Sequence, residues 1–359
     1  MSVSSLWTLP EWPRAWGKPE LAATLRFAPE DFEVEELPAV EPSGQGSHLW
    51  LWIEKTGANT DWVAGQLARA AGCPPNDVGY AGMKDRHAVT RQWFSLPWPA
   101  QDAAAFADPG IEGVRLLRAT LHEKKLRRGV LRGNQFRIRL KSLQGDTSRL
   151  EARLRQITEQ GVPNYFGPQR FGFGGANVER AVNWLARGDR IPRAKRSIYL
   201  SALRSFMFNQ VLAKRVVQGS WNQLLEGELC MLDGSHSIFL ADPLSEELRQ
   251  RCRGFDLHPT GPMPGRGGMA PGPVVQQLEQ SALQPYGEAI ASLERFGVDS
   301  ERRSLRLRVN DLAWQLQPQE LLLEFSLPPG AYATVVLREL VDEAAVHEAH
   351  LPATAAEPM

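Results

Sequence analysis

The chain predicts an antiparallel α+β fold. Three observations carry this. Several segments alternate apolar and polar residues with period two, others repeat apolar residues at helical spacing, and the two kinds do not follow the strand, helix, strand regularity that builds a parallel sheet. At 359 residues with 43% apolar content, the chain is long enough for about two globular cores.

The elements follow in order. Residues 1–20 are rich in Trp and Pro (Trp7, Pro10, Trp12, Pro13, Trp16, Pro19) and read as an extended arm lying on the body. His48 to Lys55 alternates as a strand, and Thr60 to Ala71 reads as a helix opened by an N-cap threonine. Val78 to Gly82 and Thr90 to Leu96 read as strands, which puts Lys84-Asp85-Arg86-His87 in their connection. In Gln135 to Lys141, Phe136, Ile138 and Leu140 alternate with Arg137, Arg139 and Lys141, giving one core face and one positive face. Ser148 and Glu151 suggest a capping box for a helix that buries Leu150, Leu154 and Ile157 and ends at Gly161. Arg180 to Ala186 and Ser201 to Val217 carry helical spacing. Gly261 to Pro273, nine glycines and prolines in thirteen residues, reads as an exposed loop or hinge. Leu321 to Phe325 returns to strand, and Ala333 to Asp342 to helix.

Composition narrows the classes. There is no apolar run near membrane-spanning length and no charged segment leading into an apolar one at the N-terminus, so a soluble, cytoplasmic protein without membrane association is expected. Cys73, Cys230 and Cys252 are far apart and odd in number, which argues against a disulfide framework or a zinc site; no metal is expected. The 41 basic and 41 acidic residues cancel, but unevenly along the chain. Arg115 to Lys141 holds ten cations against Glu123, and Glu179 to Arg215 holds nine against two acids. A basic face able to neutralise phosphates is one reading, and solvated charge spread over both sides of the elements is the other.

The most informative stretch is Ala81-Gly82-Met83-Lys84-Asp85-Arg86-His87-Ala88-Val89-Thr90-Arg91-Gln92. It sets one carboxylate between two cations on a loop braced by strands, where catalytic groups tend to lie. Lys84 and Arg86 are expected to hold Asp85 ionised, since a cation within a few ångströms lowers a carboxylate pKa by roughly 1–3 units. Such an anion serves as nucleophile or base and is a poor general acid. A capping or surface-paired aspartate is the alternative for an arbitrary Lys-Asp-Arg.

This stretch resembles the signature of the TruD family of tRNA pseudouridine synthases. Further blocks match in the same order: residues 27–36 (Phe-Ala-Pro-Glu-Asp-Phe-Glu-Val-Glu-Glu), 132–138 (Arg-Gly-Asn-Gln-Phe-Arg-Ile), 163–172 (Pro-Asn-Tyr-Phe-Gly-Pro-Gln-Arg-Phe-Gly) and 327–334 (Leu-Pro-Pro-Gly-Ala-Tyr-Ala-Thr). The resemblance spans about residue 25 to residue 342. It implies an α+β pseudouridine synthase catalytic fold with a mixed, largely antiparallel sheet in residues 1–159 and 306–345, a family-specific α/β domain inserted at 160–305 with a cleft between the two, and a flexible tail at 346–359.

It also implies a cofactor-free isomerase acting on uridine in tRNA, at uracil 13 of the D arm, with Asp85 as the essential carboxylate. Whether Asp85 attacks the sugar or the base, or removes a proton from C2′, stays open. The target uridine must leave its stack to be reached. Phe32, Asn134, Phe136 and Tyr332 are the candidate pocket, and Arg26 and Arg132 the candidate phosphate contacts. Core packing is the alternative for Phe32 and Phe136, and a turn for Asn134 beside Gly133. Tyr332 stands where the family commonly has phenylalanine. The fourth block is read as a buttress that aligns the two domains, with Arg170 reaching RNA or a neighbouring carboxylate. Gly172-Phe173-Gly174-Gly175 resembles a phosphate cradle, but no nucleotide cofactor is expected. tRNA is the expected partner and a monomer the expected state. The competing class is a non-catalytic RNA-binding module or tRNA folding chaperone, which would tolerate Asp85→Asn.

Overall fold

Alternation turns into a sheet wherever each apolar face finds a layer to cover it. In a computed structural model of the chain, which describes residues 6–99, 102–342 and 347–348, the alternating segments pair into a ten-stranded sheet. Its main path runs Asn310–Gln317, Glu320–Leu327, Leu131–Gln144, Phe32–Pro38, Val89–Pro97, His48–Thr56, Val114–His122. Phe32–Pro38 pairs with Val89–Pro97 in parallel, as does Ala22–Leu25 with His347–Glu348; the other pairings are antiparallel. The fold is α+β. Apart from the backbone of 347–348, the tail expected at 346–359 lies outside the described residues.

The register decides what each face carries. Phe32 pairs with Ile138, Val34 with Phe136 and Thr90, and Phe136 with Phe325, so these side chains share one buried face. Helix Thr60–Ala71 covers part of it, packing Val63, Ala64, Leu67 and Ala68 on Leu49, Leu51, Ile53 and Phe94. Each fully buried Leu or Val contributes about 1.5–3 kcal/mol.

The opposite face is a ladder of ion pairs. Arg91 reaches Glu54 at 2.8 Å and Glu33 at 3.3 Å, Arg115 reaches Glu54 at 2.9 Å, and Arg137 bridges Glu33 and Glu324 at 3.0 Å each. Arg139 pairs with Glu320 at 3.2 Å, and Lys141 with Asp31 at 2.9 Å. The positive face expected on Gln135 to Lys141 is therefore neutralised, because acids on the neighbouring strands stand opposite its cations.

By contacts the chain divides into two compact units. Among the described residues, the sheet unit falls within 20–147, 310–330 and 341–359, and the other within 1–19, 148–309 and 331–340. In the second unit the 25-residue helix Arg193–Val217 packs on Ala176–Arg187, beside an antiparallel sheet ordered Ile238–Ala241, Glu228–Leu232, Leu257–Met263, Glu301–Ser304. The arm lies on this unit: Trp7 meets Phe206 and Tyr286, Trp12 stacks on Tyr165, and Trp16 meets Trp221.

Three local readings are corrected. Helix Leu150–Gln160 opens at Arg149 without a side-chain cap, so the capping box does not form. Gly261, Pro262 and Met263 are strand, paired with Glu301 to Arg303, because this stretch meets only one neighbouring strand and the proline costs no ladder bond there. The last helix is short, Ala333–Leu337.

Candidate active site

The connection between Gly79–Tyr80 and Val89–Pro97 is anchored from below by buried polar side chains of the sheet and its covering helix. Gln92 donates Nε2 to the carbonyl of Gly82 at 3.0 Å, and Thr60 Oγ1 accepts the Lys84 N–H at 3.0 Å while donating to Gln92 Oε1 at 3.2 Å. Thr60 is thus not the N-cap, a place taken by Asn59; its hydroxyl serves the loop instead. Lys55 donates Nζ to the main-chain carbonyl of Asp85 at 2.8 Å. Lys84 Nζ reaches Glu36 Oε2 at 3.1 Å, and Glu36 Oε1 accepts the Trp93 N–H at 3.3 Å. Burial pushes the Glu36 carboxyl up from its ordinary range, against the pull of Lys84.

These anchors present Asp85 with its side chain 34% exposed. Its carboxylate is met by Arg26, whose Nη2 lies 3.3 Å from Oδ2. The expectation that Lys84 and Arg86 flank it electrostatically is corrected. Lys84 turns inward to Glu36, and Arg86 donates Nε to the carbonyl of Gly57 at 3.0 Å. Successive residues in an extended loop point apart, so neighbours in sequence need not be neighbours in charge. Arg26 adopts a left-handed backbone conformation, φ 57°, and its guanidinium lies 4.4 Å from the centroid of the Phe32 ring. A non-glycine residue held there stores about 1 kcal/mol or more, strain that clusters where a side chain is being aimed.

Phe32 is 1% exposed and stands edge-on to Phe136, which stacks on Phe325 at 5.4 Å. Both are core residues on the face under Arg26, as their alternation alone suggested. Asn134 is in a strand, paired with Glu36 and Leu327, and not in a turn. Its Oδ1 is buried with no hydrogen-bond partner. Gly133 permits this arrangement, since a Cβ there would lie 2.3 Å from the Leu327 carbonyl oxygen. Arg132 is exposed and donates Nε to the Pro38 carbonyl at 3.0 Å.

Tyr332 belongs to the second unit. Its hydroxyl accepts from Arg170 Nη2 at 3.0 Å, while Arg170 Nη1 reaches Ser201 Oγ at 3.2 Å. Arg170 thus ties residues within that one unit.

A family model described as tRNA pseudouridine synthase D (TruD) matches residues 14–190 and 178–340, most of the chain. The chain belongs to the TruD family. The TruD protein named tRNA pseudouridine synthase D in Methylococcus capsulatus (strain Bath) is 48% identical over 337 residues, covering 92% of this chain and 94% of that protein. Its namesake in Ectopseudomonas mendocina is 47% identical over 332 residues, with 92% and 94% covered. A crystal structure titled as a putative tRNA pseudouridine synthase D (TruD) from Methanosarcina mazei superposes with a TM-score of 0.72 at 21% identity, covering 94% of this chain and 97% of that one, and shows a shared fold.

The TruD signature singles out Asp85 but not what anchors its loop, and Arg26, expected to contact a phosphate, instead pairs with the Asp85 carboxylate. Lys55, Thr60, Gln92 and Glu36 are buried polar residues on elements that read as ordinary amphipathic segments. A signal was present: Lys55 and Gln92 fall on the apolar phase of their strands, where a polar side chain needs a partner. Among the described residues no group of three or more His, Cys, Asp or Glu is arranged to hold a metal. No described helix is long and apolar enough to cross a membrane.

Proposed function

We propose that this protein isomerises uridine to pseudouridine in tRNA, at position 13 of the D arm, with Asp85 as the catalytic carboxylate. The observation carrying this reading is the Asp85 carboxylate itself: part-exposed, paired with Arg26, and raised on a loop whose backbone is held by buried groups. The reaction breaks the bond from ribose C1′ to uracil N1, turns the freed base, joins C5 to C1′, and releases the C5 proton while N1 takes one up. Atoms and electrons balance without an oxidant or reductant. Asp85 either attacks C1′ or C6 or withdraws the C2′ proton, with the Arg26 guanidinium beside its carboxylate.

The remaining residues take supporting roles in this reading. Asn134 Oδ1, without a partner of its own, accepts the N3–H of the extruded uracil. Phe32 and Phe136, being core, contribute a floor under Arg26, so the base meets the guanidinium backed by a ring. Arg132 contacts a phosphate from the surface. Tyr332, its hydroxyl engaged by Arg170, offers its ring to RNA. The domain plan is a catalytic domain in 1–159 and 306–345 and a TruD-specific insertion at 160–305.

The test is release of tritium from tRNA labelled at uracil C5. The native protein is expected to release it, and Asp85→Asn to lose at least about a thousandfold in rate, roughly 4 kcal/mol of barrier, while still binding tRNA. Turnover by Asp85→Asn at the native rate would remove Asp85 from the chemistry, and binding of tRNA by the native protein without release of label would leave the RNA-binding alternative standing.

A further inference from the structure

Lys55 is 0% exposed, in the middle of the sheet unit. On the neighbouring strands it faces Thr90 and Val114, neither of which carries charge. It makes no ion pair within 4 Å among the described residues, and its hydrogen bond is the one to the Asp85 carbonyl. Thr90 Oγ1 beside it is buried without a partner. A buried ammonium so sparsely satisfied is costly, and a methionine of similar length would fill the space at less expense to the fold. Helix and sheet packing therefore give no reason for a lysine. The one group it holds belongs to the residue on which the proposed chemistry depends.

We propose that Lys55 is a positioning residue for the reaction assigned above: its ammonium fixes the Asp85 loop through the main chain and supplies buried positive charge that steadies the Asp85 carboxylate. The inference rests on the proposed role of Asp85. Two charged groups act on Lys55: the Asp85 carboxylate favours its protonated form and Lys84, on the same loop, opposes it, with Glu36 across from Lys84. Burial outweighs the attraction and brings the Lys55 ammonium down to about 8. The sign follows. Folded Lys55 gives up its proton more readily than the unfolded chain does, so its penalty on stability is full below pH 8 and recedes as pH rises towards 10.5. Activity runs the other way, because the charge that steadies Asp85 is lost above pH 8.

The experiment compares native protein, Lys55→Met, Lys55→Arg and Asp85→Asn by tritium release, tRNA binding and thermal unfolding. Lys55→Met is expected to lower kcat about a hundredfold with KM within about threefold of native, and to melt no lower than native; kcat corresponds to a loss confined to the transition state. The native kcat should show an alkaline limb near pH 8 that moves upward in Lys55→Arg. Native kcat in Lys55→Met, or a loss of activity matched by a loss of melting temperature, overturns the proposal. If neither variant folds, a native kcat without an alkaline limb overturns it. A failure of the underlying reading looks different: native protein and Asp85→Asn would then release label alike, whatever Lys55 does.

Discussion

Asn134 shows how a single atom carries a functional expectation. A buried carbonyl oxygen without a donor costs about 1–3 kcal/mol, and filling its place with an apolar group of like shape removes that cost. Asn134→Leu is therefore expected to melt at or above the native temperature while losing about tenfold to a hundredfold in kcat/KM, since the uracil edge loses its acceptor. A lower melting temperature with unchanged turnover would assign Asn134 to the fold. The motif made Asn134 and Asp85 legible, because the family blocks carry both. It did not make their partners legible. Arg26 lies 59 residues before Asp85 and Lys55 30 before it, and nothing in the residues between encodes that they meet.

Elements show a different balance between pattern and packing. The Trp-rich arm reads correctly as a segment lying on the body, yet what pins it is polar. Arg338 donates to the carbonyls of Trp12 and Pro13, Arg153 to those of Trp16 and Gly17, and Glu339 Oε2 accepts the Ala15 N–H at 3.1 Å. Glu339 is fully buried, and desolvation pushes its carboxyl up from 4.5 to about 7 despite Arg338. A raised carboxyl pKa means the folded state holds the proton more tightly, so this contribution to stability is present below pH 4.5 and is lost as pH rises to 7. Glu339→Gln, which mimics the protonated form and keeps an acceptor for Ala15, is expected to gain about 1–3 kcal/mol over native at pH 8 and little at pH 4.5. Urea unfolding at the two pH values measures this; equal gains at both would show that the carboxyl does not titrate with folding.

At the scale of the molecule the question is where positive charge is free to act. With 41 cations and 41 acids, only placement can create a basic surface. The run from Arg115 to Lys141 was the denser, but Arg115, Arg137, Arg139 and Lys141 stand opposite carboxylates across the sheet. In the helical hairpin, Arg187, Arg190, Arg193 and Lys195 are exposed and make no ion pair among the described residues. If the protein binds tRNA as proposed, Arg190→Gln should weaken binding and reduce the salt slope of log K by about 1, while Arg137→Gln should leave both near native. Titrations at several salt concentrations decide it; the reverse ranking would place the phosphates on the ladder.

By itself the sequence determined the α+β class, the core phase of the longest strand, the family and the carboxylate at its signature, because these are local: period, turn chemistry and ordered motifs are written in consecutive residues. Tertiary structure alone decided that Arg26 rather than Lys84 or Arg86 meets Asp85, that Lys55 holds its carbonyl, and that Arg115, Arg137, Arg139 and Lys141 of an apparent basic run are neutralised. Periodicity assigns a side chain to a face, whereas the charge it meets there depends on strand order and register, which bring together residues far apart in the chain.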